Sequence, residues 1–152
     1  MKSWLSGRAL AATIALPALS GAAWAGDFTC SNATLQGEYA FGVNIVSQQS
    51  VGLGWKYFDG NGNFVQHDYR GNTSPIRFSD EEVGTYKVSS DCTGSLTTQV
   101  AGGGSVQVLF VISDGGRHIH EVVGALTVAG GANVPVQTSA DDWKVAPEQN
   151  QQ

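Results

Sequence analysis

The chain has 152 residues, of which 41% are hydrophobic and 14% charged, with 20 glycines, two cysteines and a formal net charge of −5. That is the length of one domain. Beyond the first ten positions its basic residues are Lys56, Arg70, Arg77, Lys87, Arg117 and Lys144, scattered among 13 carboxylates, which argues against nucleic acid as a partner and against an anionic membrane surface.

In chain order, the first predicted element is a secretory signal. Lys2 and Arg8 precede the apolar run "ALAATIALPALSGAAWA", which closes on the small-x-small site Ala23-Trp24-Ala25. This pattern is a removable address and not an anchor. Cleavage is expected after Ala25, with export to the periplasm or the medium. The remaining chain would carry a charge of −7, six basic residues against 13 acidic ones. No later apolar run is long enough to span a bilayer, so no membrane insertion is expected. Cys30 and Cys92, in an oxidising compartment, most simply pair as a structural disulfide. The alternative is two buried free thiols.

From there the sequence reads as strands and turns. In "TLQGEYAFGVNI", Leu35, Tyr39, Phe41, Val43 and Ile45 share one parity, the period-two signal of a strand. "VGLGWKYFD" repeats the pattern with Val51, Leu53, Trp55 and Tyr57. "GNGN" is a turn and "FVQHDYRG" returns from it. "EEVGTYKVS" and "GSLTTQV" flank "SDCT"; "SVQVLFVIS" and "RHIHEVVGALTV" flank "DGG". "NVPVQTS" is a last short strand weakened by Pro135, and residues 146–152 form a disordered tail. About eight strands in sequence predict an all-β domain over residues 26–145, an antiparallel up-and-down β-barrel. A β-sandwich is the alternative.

The segments "CSNATLQGEYAF", "FDGNGNF", "GTYKVSSDCTGSL" and "FVISDGGRHIH" resemble a group of small exported bacterial proteins with the patterns C-S-N-A-T-L-x-G-x-Y and D-C-T-G-x-L. The strand pattern of that group is similar to calycin-type barrels, including the allene oxide cyclase-like ones. The resemblance covers residues 30–125. It implies a barrel with a small-molecule pocket and carries over no catalytic residue.

The chemistry-bearing residues cluster in "GGRHIHEVVG". His118 and His120 lie on one face of a strand, about 6.5–7 Å apart along it, and could share an ion. A metal site needs a third ligand. Glu121 faces the other way, as does Asp68 beside His67, and a cupin's further glutamate is replaced by Gly124 or Ala125. No metal and no cofactor is therefore assigned. "DGNGN" at 59–63 begins like a calcium loop, but Phe64 and Arg70 stand where glycine and glutamate belong, so it reads as a hairpin turn.

The turn after Ile112 sets the register. A two-residue turn puts Glu121 inside the barrel; a three-residue turn puts His118, His120 and Val122 inside. Burying neutral histidine costs less than burying an unpaired glutamate, so the histidines are expected to point inward. Trp143 is expected to cap one barrel end.

The expected function is the binding of a small apolar or amphipathic molecule in the barrel, with Tyr39, Phe41, Trp55 and Tyr57 as wall and His118 and His120 as polar contacts. Taken by itself, the aromatic set reads first as core packing and second as pocket wall. Two other classes stay open: an isomerase or cyclase using His118, His120 or Glu121 as acid and base, and a structural or surface protein with a packed barrel.

Overall fold

The structure is a computed structural model that describes residues 28–70, 81–100 and 103–145. The expected signal segment (1–25) and tail (146–152) lie outside these residues. The strands are β1 (Gln36–Ile45), β2 (Ser50–Asp59), β3 (Asn63–Arg70), β4 (Glu82–Val88), β5 (Thr93–Val100), β6 (Gly104–Ser113), β7 (His118–Thr127), β8 (Asn133–Val134) and β9 (Thr138–Lys144). All pairings between them are antiparallel. β1 to β7 form a meander, β9 lies between β7 and β1, and β6 also pairs with β7, so the sheet closes on itself. β8 and β9 run along the same edge of β7, β8 against Leu126–Thr127 and β9 against His118–Glu121. They are two pieces of one eighth stave. The gap falls at Pro135, which has no N–H for the ladder. The fold is thus the expected eight-stranded, all-β antiparallel barrel. Among the described residues, no helix is long and apolar enough to cross a membrane.

One end of the barrel is solidly filled. Phe58 sits at its centre, edge-on to Tyr39 (5.3 Å) and Tyr86 (5.0 Å) and 5.7 Å from Phe64. Leu96, Phe110, Ile112 and Ile119 complete this core. A 3-10 turn at Asn32–Thr34 and the fully buried Leu35 cap it from outside. The Tyr86 hydroxyl lies 3.0 Å from the carbonyl oxygens of both Asn32 and Leu35, and Val88 N–H donates to Asn32 Oδ1 (2.8 Å). The Tyr39 hydroxyl donates to the Gly116 carbonyl. A Cys30–Cys92 disulfide ties the entering chain to the β4–β5 turn, as the cysteine count led us to expect.

Two strands face the other way from expectation. On β2 the inward residues are Gly52, Gly54, Lys56 and Phe58, while Val51, Leu53 and Tyr57 are exposed and Trp55 lies outside against His67. Two glycines and a lysine hid the inner face from a hydrophobicity pattern. Gly54 is needed there: a Cβ would run into the His67 carbonyl and lie 2.9 Å from the Phe41 ring.

On β7 the histidines point outward and Glu121 points in, opposite Phe110. The connection has four residues, Asp114–Arg117, an even number that preserves the parity of a two-residue turn. Gly116 sits at φ 91°, and a Cβ there would lie 2.6 Å from the Thr34 carbonyl oxygen, a place and a conformation for glycine alone. A bulge between Gln107 and Val108 then lets Val123 and Leu126 both line the cavity.

Candidate functional site

Lys56 is the cation at the centre of the barrel, and two carboxylates meet it. Its Nζ donates to Glu121 Oε2 at 2.6 Å and to Asp142 Oδ2 at 2.9 Å. The three side chains come from β2, β7 and β9 and are 4%, 4% and 0% exposed. The ammonium also lies 4.7 Å from the centre of the Phe41 ring, whose π-face attracts a cation. The expectation that Glu121 would avoid the interior assumed it would be unpaired. Lys56 pairs it, and that removes the penalty which favoured buried histidines.

Electrostatics in this cluster follow from burial. Removal from water pulls the Lys56 ammonium down, but the charges of Asp142 and Glu121 and their hydrogen bonds outweigh it, so its pKa lies above the ordinary lysine value. Burial lifts the Asp142 carboxyl to about 7; Lys56 opposes this, and the neighbouring Glu121 charge adds to it. Glu121 Oε1 and Asp142 Oδ1 are buried and accept no hydrogen bond among the described residues.

Beside the cluster, toward the end away from the aromatic core, lies a cavity of about 200 Å³. Phe41, Val43, Val106, Val108, Leu126 and Val136 give it apolar walls; Lys56, Glu121, Gln66, Glu82 and Thr98 give it polar points. Gln66 Nε2 donates to Glu82 Oε2 (2.8 Å) across the β3–β4 pair.

The sequence candidates divide between inside and outside. Phe41 and Glu121 line the cavity. Tyr39 is inside but belongs to the packed end, fully buried, and burial raises its phenol pKa to about 12. Trp55, Tyr57, His118 and His120 stand on the outer face and do not line the cavity. Trp143, expected to cap an end, is 56% exposed and stacks on His118. Lys56 and Asp142 were missed altogether. Their sequence signal was a lone lysine in an apolar strand and the pair Asp141-Asp142 in a segment that did not read as a strand. The "DGNGN" stretch is the expected hairpin turn: Asp59 Oδ1 accepts from the backbone N–H groups of Asn61, Gly62 and Asn63 at 2.7–3.0 Å.

No family model matches the chain, and no curated protein matches it. Among solved structures it is similar to a de novo designed fluorescence-activating β-barrel, with 12% sequence identity and a TM-score of 0.51, over 74% of this chain and 94% of the designed one. At that identity the likeness concerns the fold, a closed antiparallel β-barrel.

Proposed function

We propose that the barrel binds one small amphipathic molecule, its apolar body against Phe41, Val106, Val108 and Leu126 and a hydrogen-bond donor directed at Glu121 Oε1. The observation that carries this reading is that free acceptor: a buried carboxylate oxygen without a donor among the described residues, on the wall of a cavity that also presents the apolar faces of Phe41, Val43, Val106, Val108 and Leu126. Leaving such an atom unmatched costs about 1–3 kcal/mol, which a ligand N–H or O–H would recover. An apolar cavity of about 150 Å³ takes up benzene, so 200 Å³ suits a single small ring system. The likeness to a fluorescence-activating barrel is in keeping with an interior given to a small molecule. So is the resemblance of the cysteine motifs to small exported bacterial proteins whose strand pattern is similar to calycin-type barrels. The disulfide fits an oxidising compartment, and with the N-terminal pattern it supports a protein of the periplasm or the medium.

A second reading, proton-transfer chemistry of the isomerase or cyclase type, is favoured by one fact. Of the three acid–base candidates, His118, His120 and Glu121, only Glu121 faces the cavity.

Indole and benzofuran test the binding reading, because they share a shape and only indole carries an N–H donor. Calorimetric titration is expected to show indole binding more tightly than benzofuran. Val108→Trp, which fills the cavity, should abolish both, and Glu121→Met should erase the preference. Native mass spectra of protein purified from the periplasm should carry an organic adduct that denaturation removes. A bare mass together with no uptake of either probe overturns the reading and leaves a packed structural barrel. Turnover of an added substrate that depends on Glu121 would move the reading to the enzyme.

A further inference from the structure

We propose that His118, His120 and Asp141 form a binding site for a divalent transition-metal cation of the zinc class on the outer face of the barrel. Two imidazoles on alternate positions of β7 lacked a third partner in the sequence. The tertiary pairing supplies one. Asp141 of β9 lies directly opposite His120, and Trp143 directly opposite His118. Asp141 Oδ1 stands 2.8 Å from His120 Nδ1 and 3.0 Å from His118 Nε2. One ligand atom from each residue falls within 4.8 Å of the others.

Tetrahedral zinc holds nitrogen and oxygen donors at about 2.0–2.2 Å, which sets neighbouring donors about 3.3 Å apart. The two Asp141–histidine separations need open by only a few tenths of an ångström. Two neutral imidazoles and one carboxylate are also a suitable donor set for a borderline-soft cation, and they leave one coordination position for water.

The surroundings hold these groups in place. The His118 ring stacks on Trp143 at 3.6 Å and 15°, and its side chain is only 12% exposed. Ser113 Oγ lies 3.4 Å from His120 Nε2, where it can accept a hydrogen bond from the Nε2–H tautomer, whose Nδ1 lone pair is then available to the cation. His120 and Asp141 are 54% and 56% exposed, so a hydrated ion can reach the site from solvent. The chain's negative charge favours a cation at any surface position. The site stands apart from the barrel interior and does not depend on the ligand reading.

The test is calorimetric titration of the chelator-treated protein with zinc chloride. Saturable uptake of one ion per chain is expected, uncontested by excess magnesium, which prefers oxygen ligands. His120→Ala and Asp141→Ala, both at exposed positions and checked for fold by circular dichroism, should each weaken it at least about tenfold, the lower end of what losing even a supporting group costs. Copper(II) at the same site should quench Trp143 fluorescence through the stacked His118 ring. The Trp143→Phe variant should lose that quenching. Absence of saturable zinc uptake, or uptake unchanged in both alanine variants, overturns the proposal and leaves the trio as a surface hydrogen-bond cluster.

Discussion

Lys56 shows what a single residue decides here. It is the charge that makes two buried carboxylates tolerable, and its partners come from the far side of the sequence, 65 and 86 residues away. Removing one member of a buried ion cluster leaves an uncompensated charge, at a cost of about 3–5 kcal/mol. Lys56→Met should therefore lower stability to urea by about that amount, and adding Glu121→Gln and Asp142→Asn should return most of it. A single variant as stable as the parent would mean that the carboxylates are already neutral. Asp59 acts locally instead. Hydrogen bonds from Asn63, Asn61 and Gly62 hold its carboxyl at about 2, below the ordinary 3.8. A depressed carboxyl contributes stability that is fully present above the unfolded value and lost as pH falls through the folded one. NMR titration should find Asp59 ionised at pH 3, with the β2–β3 turn loosening only toward pH 2; a midpoint near the ordinary value would contradict the turn geometry.

At the scale of elements, seven of the eight staves were legible because apolar residues alternate in them, even where the wrong face was assigned inward. The eighth was not. β9 reads "TSADDWK", and its inward positions are Ala140 and Asp142. No hydrophobicity pattern marks a strand whose buried residue is a carboxylate matched by a lysine on another strand. The face of β7 was likewise undecidable from its own residues, because one residue of turn length exchanges His118 and His120 for Glu121. The disulfide is an element-scale constraint that the sequence did reveal. It closes a separation of 62 residues, for which chain entropy gives about 4 kcal/mol. The double variant Cys30→Ser, Cys92→Ser should lose up to about that much stability in equilibrium unfolding. The loss should come from the packed end, seen as faster amide exchange in Asn32–Thr34 and around Val88.

Across the whole molecule, the barrel is two structures end to end: an aromatic plug and a chamber. Their response to truncation should differ. Phe58→Ala, at the hub of three aromatic contacts, should cost about 3–5 kcal/mol, as buried Phe truncations do. Val106→Ala, half-buried between the core and the cavity, should cost less, about 1 kcal/mol, because only one side of the residue is packed. Equal losses at both sites would mean that the cavity collapses in solution.

The sequence by itself determined the class of the molecule. Alternation, glycine-rich turns and two cysteines point to an antiparallel β-domain tied by a disulfide, with barrel ahead of sandwich, because these are properties of neighbouring residues and of the chain's chemistry; closure of the sheet is read from the strand order. It also singled out His118, His120 and Glu121 as the residues with chemistry to offer. Only the tertiary structure decided what they face and whom they meet. Closure brings β9 between β7 and β1, which sets Asp142 on Lys56 inside and Asp141 on the histidines outside. Adjacent residues on a strand point to opposite faces, so one dipeptide serves both the buried cluster and the surface one. A charge is placed by its partner, and the partner is fixed by strand order and register, neither of which is a local property of the sequence.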